Sequence, residues 1–120
     1  MQEGVKSHKD LIVWQKAILL SQEIYRLTER FPQREVYALA SQMRRAAVSI
    51  ASNIAEGKSR GTTKDFVYFL HIAYGSASEL ETQLIICKKL VFCTEAQFVR
   101  LDSLLTEISK MLRVMIKKLG

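Results

Sequence analysis

Proline and tryptophan each occur once, and cysteine and histidine twice, in this 120-residue chain. A single proline leaves few places where a helix is forced to stop. Cys87 and Cys93 are too far apart for a C-x-x-C pair and too few for a zinc site, which points to reduced thiols in a cytoplasmic protein. Neither His8 nor His71 stands three residues after a glutamate, so the Glu-x-x-His pattern of di-iron bundles is absent. Phosphate-loop and dinucleotide glycine signatures are missing as well. No long hydrophobic run exists either. The longest stretch without a charged residue, Phe66 to Ser78, falls well short of the ~20 residues that cross a bilayer. The first residues, Met1 to Lys6, carry no apolar segment of the secretion-signal kind. No metal, cofactor or membrane partner is therefore expected.

Acidic residues are also scarce against basic ones: 12 against 18, for a net charge of +6. That balance favours polyanionic partners. An apolar content of 48% with 25% charged residues suits one globular domain, expected over residues 10–120 behind a flexible stretch at 1–9.

The apolar residues recur at helical spacing throughout. Leu11, Trp14, Ala17, Ile18, Ile24, Tyr25, Leu27 and Phe31 mark a first helix, with Asp10 as its expected N-cap and Pro32 as its stop. A second helix is predicted from near Arg34, with Val36, Leu39, Ala40, Met43, Ala47, Ile50 and Ile54 on one stripe and Gly57 near its end. The third, capped by Thr62 or Thr63, has a seam of Phe66, Leu70, Ala73, Ala77, Leu80, Leu84 and Cys87 at alternating spacings of four and three. Thr94 and Gln97 form a capping box for a fourth, with Phe98, Leu101, Leu105, Ile108, Leu112, Met115 and Leu119 on one face. Four long helices with short connections predict an all-α, up-down-up-down antiparallel bundle.

The third helix has more apolar surface than one bundle needs. Opposite its seam lie Tyr68, Phe69, Ile72, Gly75, Ser76, Glu79, Gln83, Ile86 and Leu90. A monomer's surface helix carries charges there. Gly75 further costs roughly 1 kcal/mol of helix stability relative to alanine, and a mid-helix glycine often marks a close approach. A homo-oligomer interface through Phe69, Ile72, Gly75, Ser76 and Ile86 is the expectation, with a broad internal core as the alternative.

On the second helix Arg45, Ser49, Asn53 and Glu56 form a polar stripe, extended by Gln42 and Arg60. The stripe is a solvated face, a polar network with Glu79, or a direct ligand contact by Arg44 or Arg45. Glu79 stands among apolar residues, and a partly buried carboxylate needs a donor, so an arginine of the second helix is its expected partner. Positive charge concentrates at Arg44, Arg45, Lys58, Arg60 and Lys64, and again at Lys110, Arg113, Lys117 and Lys118. The first group is the primary candidate for binding RNA or DNA. The second is also explained by the preference of cations for helix C-termini. Trp14, Tyr25, Tyr37 and Tyr74 can stack on bases, although at helical spacing such residues serve mostly as core.

The chain resembles the four-helix-bundle family of proteins encoded in intervening sequences of bacterial large-subunit ribosomal RNA genes. That group includes the accessory proteins of diversity-generating retroelements. The resemblance spans about residues 8–118. It rests on Asp10-Leu11-x-x-Trp14-Gln15-x-Ala17, on Phe31-Pro32-x-x-Glu35-x-Tyr37-x-Leu39, and most strongly on Gln42-x-Arg44-Arg45-Ala46-x-x-Ser49-Ile50-x-x-Asn53-Ile54-x-Glu56-Gly57. Phe69, Gly75-Ser76 and Glu79-Leu80 complete it. The resemblance implies a left-handed bundle that assembles into a ring, usually a pentamer, with a basic surface for nucleic acid and no enzymatic activity. In the retroelement setting it also implies a reverse transcriptase partner. Together, residues and resemblance predict a cytoplasmic, ring-forming scaffold or adaptor for nucleic acid. An oligomeric adaptor that binds another protein is the alternative.

Overall fold

A computed structural model of the chain describes residues 4–36 and 38–120. Tyr37 and the first three residues of the expected flexible stretch lie outside the described residues. Four helices follow one another: α1 (Ile12–Thr28), α2 (Leu39–Ser59), α3 (Thr63–Lys89) and α4 (Glu95–Leu119). They pack antiparallel in a square. α1 and α3 each touch α2 and α4, and the diagonal pairs do not meet. The bundle measures 45 × 24 × 21 Å.

The core follows most of the stripes read from the sequence, with corrections at the edges: on α1 Val13 and Leu20 are buried while the expected Ile18 and Tyr25 are exposed, and on α4 the expected Leu119 is exposed. Val13, Ala17, Leu20 and Ile24 of α1 meet Met43, Ala47, Ile50 and Ile54 of α2, while Leu70, Ala73, Ala77, Leu80 and Leu84 of α3 meet Leu105, Ile108 and Leu112 of α4. Nearly all of these are withdrawn from water, at about 25 cal/mol per Å2 of apolar area. Gln83, placed by its spacing on the outer face of α3, is instead buried at 5% exposure. The side opposite the seam is otherwise open. Tyr68, Ile72, Ile86 and Leu90 are exposed, as are Gly75 and Glu79, while Phe69 and Ser76 are half-buried.

Helix boundaries follow local hydrogen bonding. Thr62 Oγ1 accepts from Asp65 N–H at 3.1 Å, and Thr94 with Gln97 closes its capping box at 3.1 and 2.8 Å. Asp10 does not cap α1. Its carboxylate turns back to accept the N–H groups of Lys6 (2.8 Å) and Ser7 (3.2 Å), closing a 3-10 turn at His8–Asp10. Those two bonds hold its pKa below the usual carboxylate value. Pro32 lies beyond the end of α1, which stops at Thr28, and α2 begins at Leu39 rather than near Arg34. Between them the chain makes tight turns, with Glu35 N–H on Pro32 C=O (2.8 Å) and Ala38 N–H on Glu35 C=O (3.1 Å). Ala38 then leaves helical geometry at φ −119°, ψ −107°, so the stretch cannot merge with α2.

Two backbone positions carry opposite lessons. Gly57 is helical and buried, and a Cβ there would sit 2.7 Å from Phe69 Cβ, so α2 and α3 approach closely at this point. Val91 ends α3 in the left-handed region at φ 61°. Val91 N–H bonds Lys88 C=O (3.0 Å) and Phe92 N–H bonds Cys87 C=O (3.0 Å), a Schellman motif that normally takes glycine. Phe92 thereby stacks on Phe31 with ring centres 5.2 Å apart. Gly57→Ala is expected to destabilise the chain by about 1–3 kcal/mol through overpacking. Val91→Gly is expected to stabilise it by about 1 kcal/mol by relieving a β-branched residue of positive φ. Urea denaturation of both variants measures the two signs.

Candidate nucleic-acid interface

α2 carries the polar stripe, and its helical spacing fixes which groups meet. Ser49 and Ser76 hydroxyls share a hydrogen bond at 2.8 Å across the α2–α3 contact. Asn53 Nδ2 donates to Ser49 C=O (2.8 Å) and to Ser49 Oγ (2.9 Å). Glu56 pairs with Arg60 at 2.8 Å, with both side chains half-exposed. Arg45 is exposed and takes no part in this network. Glu79 is exposed too and pairs with no cation among the described residues, so the expected arginine partner is absent within the chain. Its position on the outer face of α3 leaves the carboxylate in water, where no donor is required.

Arg44 is held more firmly than its neighbour. Its Nε donates to Thr28 Oγ1 at 2.7 Å, and its guanidinium carbon lies 4.8 Å from the centre of the Tyr25 ring. The buried Thr28 hydroxyl donates to Ile24 C=O at 2.7 Å, which leaves its lone pair for the arginine. Beside this clamp an open cavity of about 530 Å3 is lined by Tyr25, Val36, Ser41, Arg44, Arg45, Val48 and Ser49.

The fold divides the first basic group. Arg44 and Arg45 stand about 20 Å along the helix axis from Lys58, at 1.5 Å per residue. Lys58, Arg60 and Lys64 lie instead where α2 ends and α3 begins. A side chain at Gly120 would reach 3.9 Å from Val67 Cγ1, so the C-terminus of α4 ends beside the first turns of α3. Lys117 and Lys118 therefore share this end of the bundle with Lys58, Arg60 and Lys64. The antiparallel path brings the start of α1 there as well, and with it the exposed Lys6 and Lys9. Sequence spacing missed both lysines, because only the folded chain brings residues 6–9, 58–64 and 117–118 together. Among the described residues Asp10, Glu56 and Asp65 are the nearby acids by position; Asp10 is engaged by backbone N–H groups and Glu56 by Arg60. Lys58 and Arg60 lie over the rings of Phe66 and Phe69, at 5.7 and 5.0 Å from the centres.

Lys110 and Arg113 are separate. They line a cleft between α3 and α4 of about 180 Å3 with Tyr74, Ser78, Glu81, Thr106 and Ser109. Trp14 is half-buried against the core, with His8 edge-on at 5.1 Å, and Tyr25 is 43% exposed. His71 is exposed on α3. Among the described residues no group of three or more His, Cys, Asp or Glu side chains is placed to hold a metal ion. Cys87 is buried, and that burial, with the neighbouring Cys93 thiol adding to it, pushes the pKa of its thiol up to about 12.

Gly57-Lys58-Ser59-Arg60-Gly61 reads G-x-S-x-G, the letter pattern of a hydrolase nucleophile elbow. The context is wrong for one. The run closes a helix instead of joining a strand to a helix, and Ser59 Oγ donates to Glu56 C=O at 3.0 Å. With Glu79 exposed and unpaired, Glu79→Ala is expected to change the unfolding free energy of the isolated chain by less than ~0.5 kcal/mol in urea melts.

No helix among the described residues is long and apolar enough to cross a membrane. No curated protein matches the chain. Among solved structures, it is similar to a protein of unknown function from the S23 ribosomal protein family of Bacteroides thetaiotaomicron VPI-5482. The two are 27% identical with a TM-score of 0.82 over 88% of this chain and 96% of the other. Residues 9–114 match the family described as 23S rRNA-intervening sequence protein, and the match covers every helix of the bundle except the last residues of α4. The chain belongs to the 23S rRNA-intervening sequence protein family.

Proposed function

We propose that this protein is a non-enzymatic, ring-forming scaffold or adaptor in the cytoplasm that holds RNA or DNA by its phosphates. The observation that carries the reading is the cation-rich end of the bundle. Lys6, Lys9, Lys58, Arg60, Lys64, Lys117 and Lys118 come from three separate stretches of sequence and gather where α1 begins, α2 meets α3 and α4 ends. Lysines and arginines without base-reading geometry neutralise phosphates irrespective of sequence and release counterions. A ring repeats the cluster, and linked contacts raise the effective concentration of each next phosphate. Family membership supports the setting, and a homopentamer is the proposed assembly. A reverse transcriptase or other nucleoprotein fits the same adaptor role.

The exposed face of α3 supports the assembly. Ile72, Ile86 and Leu90 are exposed apolar side chains on a helix whose Gly75 has no atom within 4 Å of where a Cβ would stand. Within one chain that glycine weakens α3 by roughly 1 kcal/mol and makes room for nothing. A second copy's helix laid across it would use the space. A protein-adaptor reading draws on the same face, with a different protein in place of the second copy.

Two measurements test these statements. Light scattering is expected to give several times the mass of one chain. Gly75→Ala is expected to keep or raise helix stability while weakening the assembly. A monomer at micromolar concentration, or an assembly indifferent to the substitution, removes the ring. For binding, affinity for duplex DNA is expected to fall with salt at a log–log slope near −0.9 per phosphate contacted. Lys58→Glu, Arg60→Glu and Lys64→Glu together are expected to weaken binding to all sequences alike while the oligomer survives. A wild-type protein that retains no nucleic acid at low salt overturns the nucleic-acid reading in favour of the protein adaptor.

A further inference from the structure

The cavity between α1 and α2 lies far from the cation-rich end and has a different character. Arg44 is fixed there by the Thr28 hydroxyl and by the Tyr25 ring. Those contacts use its Nε and one face of the guanidinium plane. Its two terminal nitrogens meet no carboxylate within 4 Å and no other acceptor among the described residues. Half-burying a guanidinium without an anion is unfavourable, and a fork already held in place gains most from one. Arg45 follows directly on the helix, diverging by about 100°, and it too has no partner among the described residues. Tyr25, Val36 and Val48 give the lining its apolar part, Tyr25 and Val48 being 43% and 42% exposed and Val36 half-buried, and the hydroxyls of Ser41 and Ser49 complete it. Ser41 contributes a hydroxyl that bonds nothing in the chain among the described residues. At about 530 Å3 this open groove has room for a small organic group to lie against its wall.

We infer that this cavity takes one unpaired nucleotide of a single-stranded RNA or DNA, its base against Tyr25, Val36 and Val48 and its flanking phosphates on Arg44 and Arg45. The inference rests on the nucleic-acid reading above and adds to it a preference for unpaired strands. The flat apolar wall is accessible only to a base that has left its stack, whereas the lysine end accepts any phosphate backbone. Two diverging cations with no acid between them suit successive phosphates of one strand. A duplex presents its phosphates on a convex surface with the bases turned inward, so it cannot fill the apolar part. The hydrogen bonds that define base identity are not supplied by this lining, so tolerance of sequence is expected.

Fluorescence anisotropy of the full-length oligomer with a labelled 12-nucleotide oligo-dT, an oligo-rU of the same length and a 12-base-pair duplex tests this at fixed salt. Wild type is expected to bind the single strands more tightly than the duplex. Arg44→Gln is expected to weaken single-strand binding about tenfold and to reduce its salt slope by about 0.7, the value for one lost phosphate contact, with duplex binding unchanged. Val48→Glu, at an exposed position that leaves the core alone, is expected to do the same by repulsion. It keeps the test valid if Arg44→Gln impairs folding. Equal affinity for duplex and single strand, or single-strand binding untouched by Val48→Glu, overturns the inference. If the Lys58, Arg60 and Lys64 reversal then abolishes all binding, the nucleic-acid reading stands without the cavity. If wild type binds none of the three probes at 50 mM salt, both readings fall. A poly-glutamate peptide that competes as well as oligo-dT shows a carboxylate site and overturns the nucleotide assignment.

Discussion

The close approach of α2 and α3 is the constraint from which the rest of the arrangement follows. Gly57 leaves so little room against Phe69 that one methyl group would have to displace a neighbour. Farther along the same pair, Ala46, Ala47 and Ala51 on α2 and Ala73 and Ala77 on α3 keep the buried side chains small. Interaxial distance depends on the residues at the contact, so small ones draw the axes together. The Ser49–Ser76 hydrogen bond spans this contact and, with Asn53, fixes the relative rotation of the helices by polar geometry as well as by shape. Larger residues, among them Leu20, Ile24, Leu105 and Leu112, then fill the wider space towards α1 and α4. Two ion pairs tie α4 to α1 from outside the core: Arg100 with Glu23 at 2.7 Å and Lys16 with Glu107 at 3.1 Å. Only Glu23 is largely withdrawn from water, its side chain 15% exposed, so the pairs contribute about 1 kcal/mol or less each and serve alignment more than stability.

From that packing comes the distribution of charge. An antiparallel square of four helices puts the start of α1, the α2–α3 connection and the end of α4 at one end. The order of the sequence scatters those lysines; the topology collects them. The same packing separates Arg44 and Arg45 from them by the length of α2. Apart from Lys110 and Arg113 in the α3–α4 cleft, these basic residues fall into a cluster at a bundle end and, beside an open cavity, the clamped Arg44 with the exposed Arg45 next to it. The two environments suit different chemistry. In the proposed role the first would attract phosphate over distances up to the Debye length, and the second would act at contact.

Periodicity carried most of the architecture. The α3 seam, with its alternation of four and three, and the Thr62 and Thr94 caps were legible because each depends on residues within one or two turns. The start of α2 was not. Val36 and Leu39 continue the apolar rhythm of the helix, yet the bonds from Glu35 to Pro32 and from Ala38 to Glu35 close three-residue turns, and spacing alone does not distinguish these from helix. Glycine was misread for a related reason. Gly57 has the look of a helix stop and is the point of closest approach, whereas Gly75 has the look of a close approach and faces open space. Which neighbour a glycine meets is a property of tertiary packing. Glu79 fails in the same way, since its apolar sequence neighbours do not surround it in space. The joining of Lys6 and Lys9 to the basic end likewise becomes visible only once chain direction is known.

The outer face of α3 remains the part of the molecule that one bundle does not account for. A helix freed from contacts gains from alanine at position 75 and from charge at 72 and 86, because water rewards both. This one has glycine and isoleucine there, with Tyr68 exposed a turn earlier and a lone carboxylate, Glu79, a turn later. Each choice costs a single chain a little, and none is offset within it. Among the described residues no other element comes within 4 Å of a Cβ at Gly75, so its cost has no return in this bundle; Gly57, by contrast, permits the close approach of α2 and α3. A surface that combines a gap at the backbone, flanking apolar side chains and one unpaired charge has the parts of a helix-packing site: room for close approach, area to bury and a group to fix register. In the proposed ring the stability of α3 would be set for a context larger than one chain. The basic end and the arginine cavity would then be repeated at fixed spacing, which converts weak contacts with individual phosphates into a surface able to hold a strand.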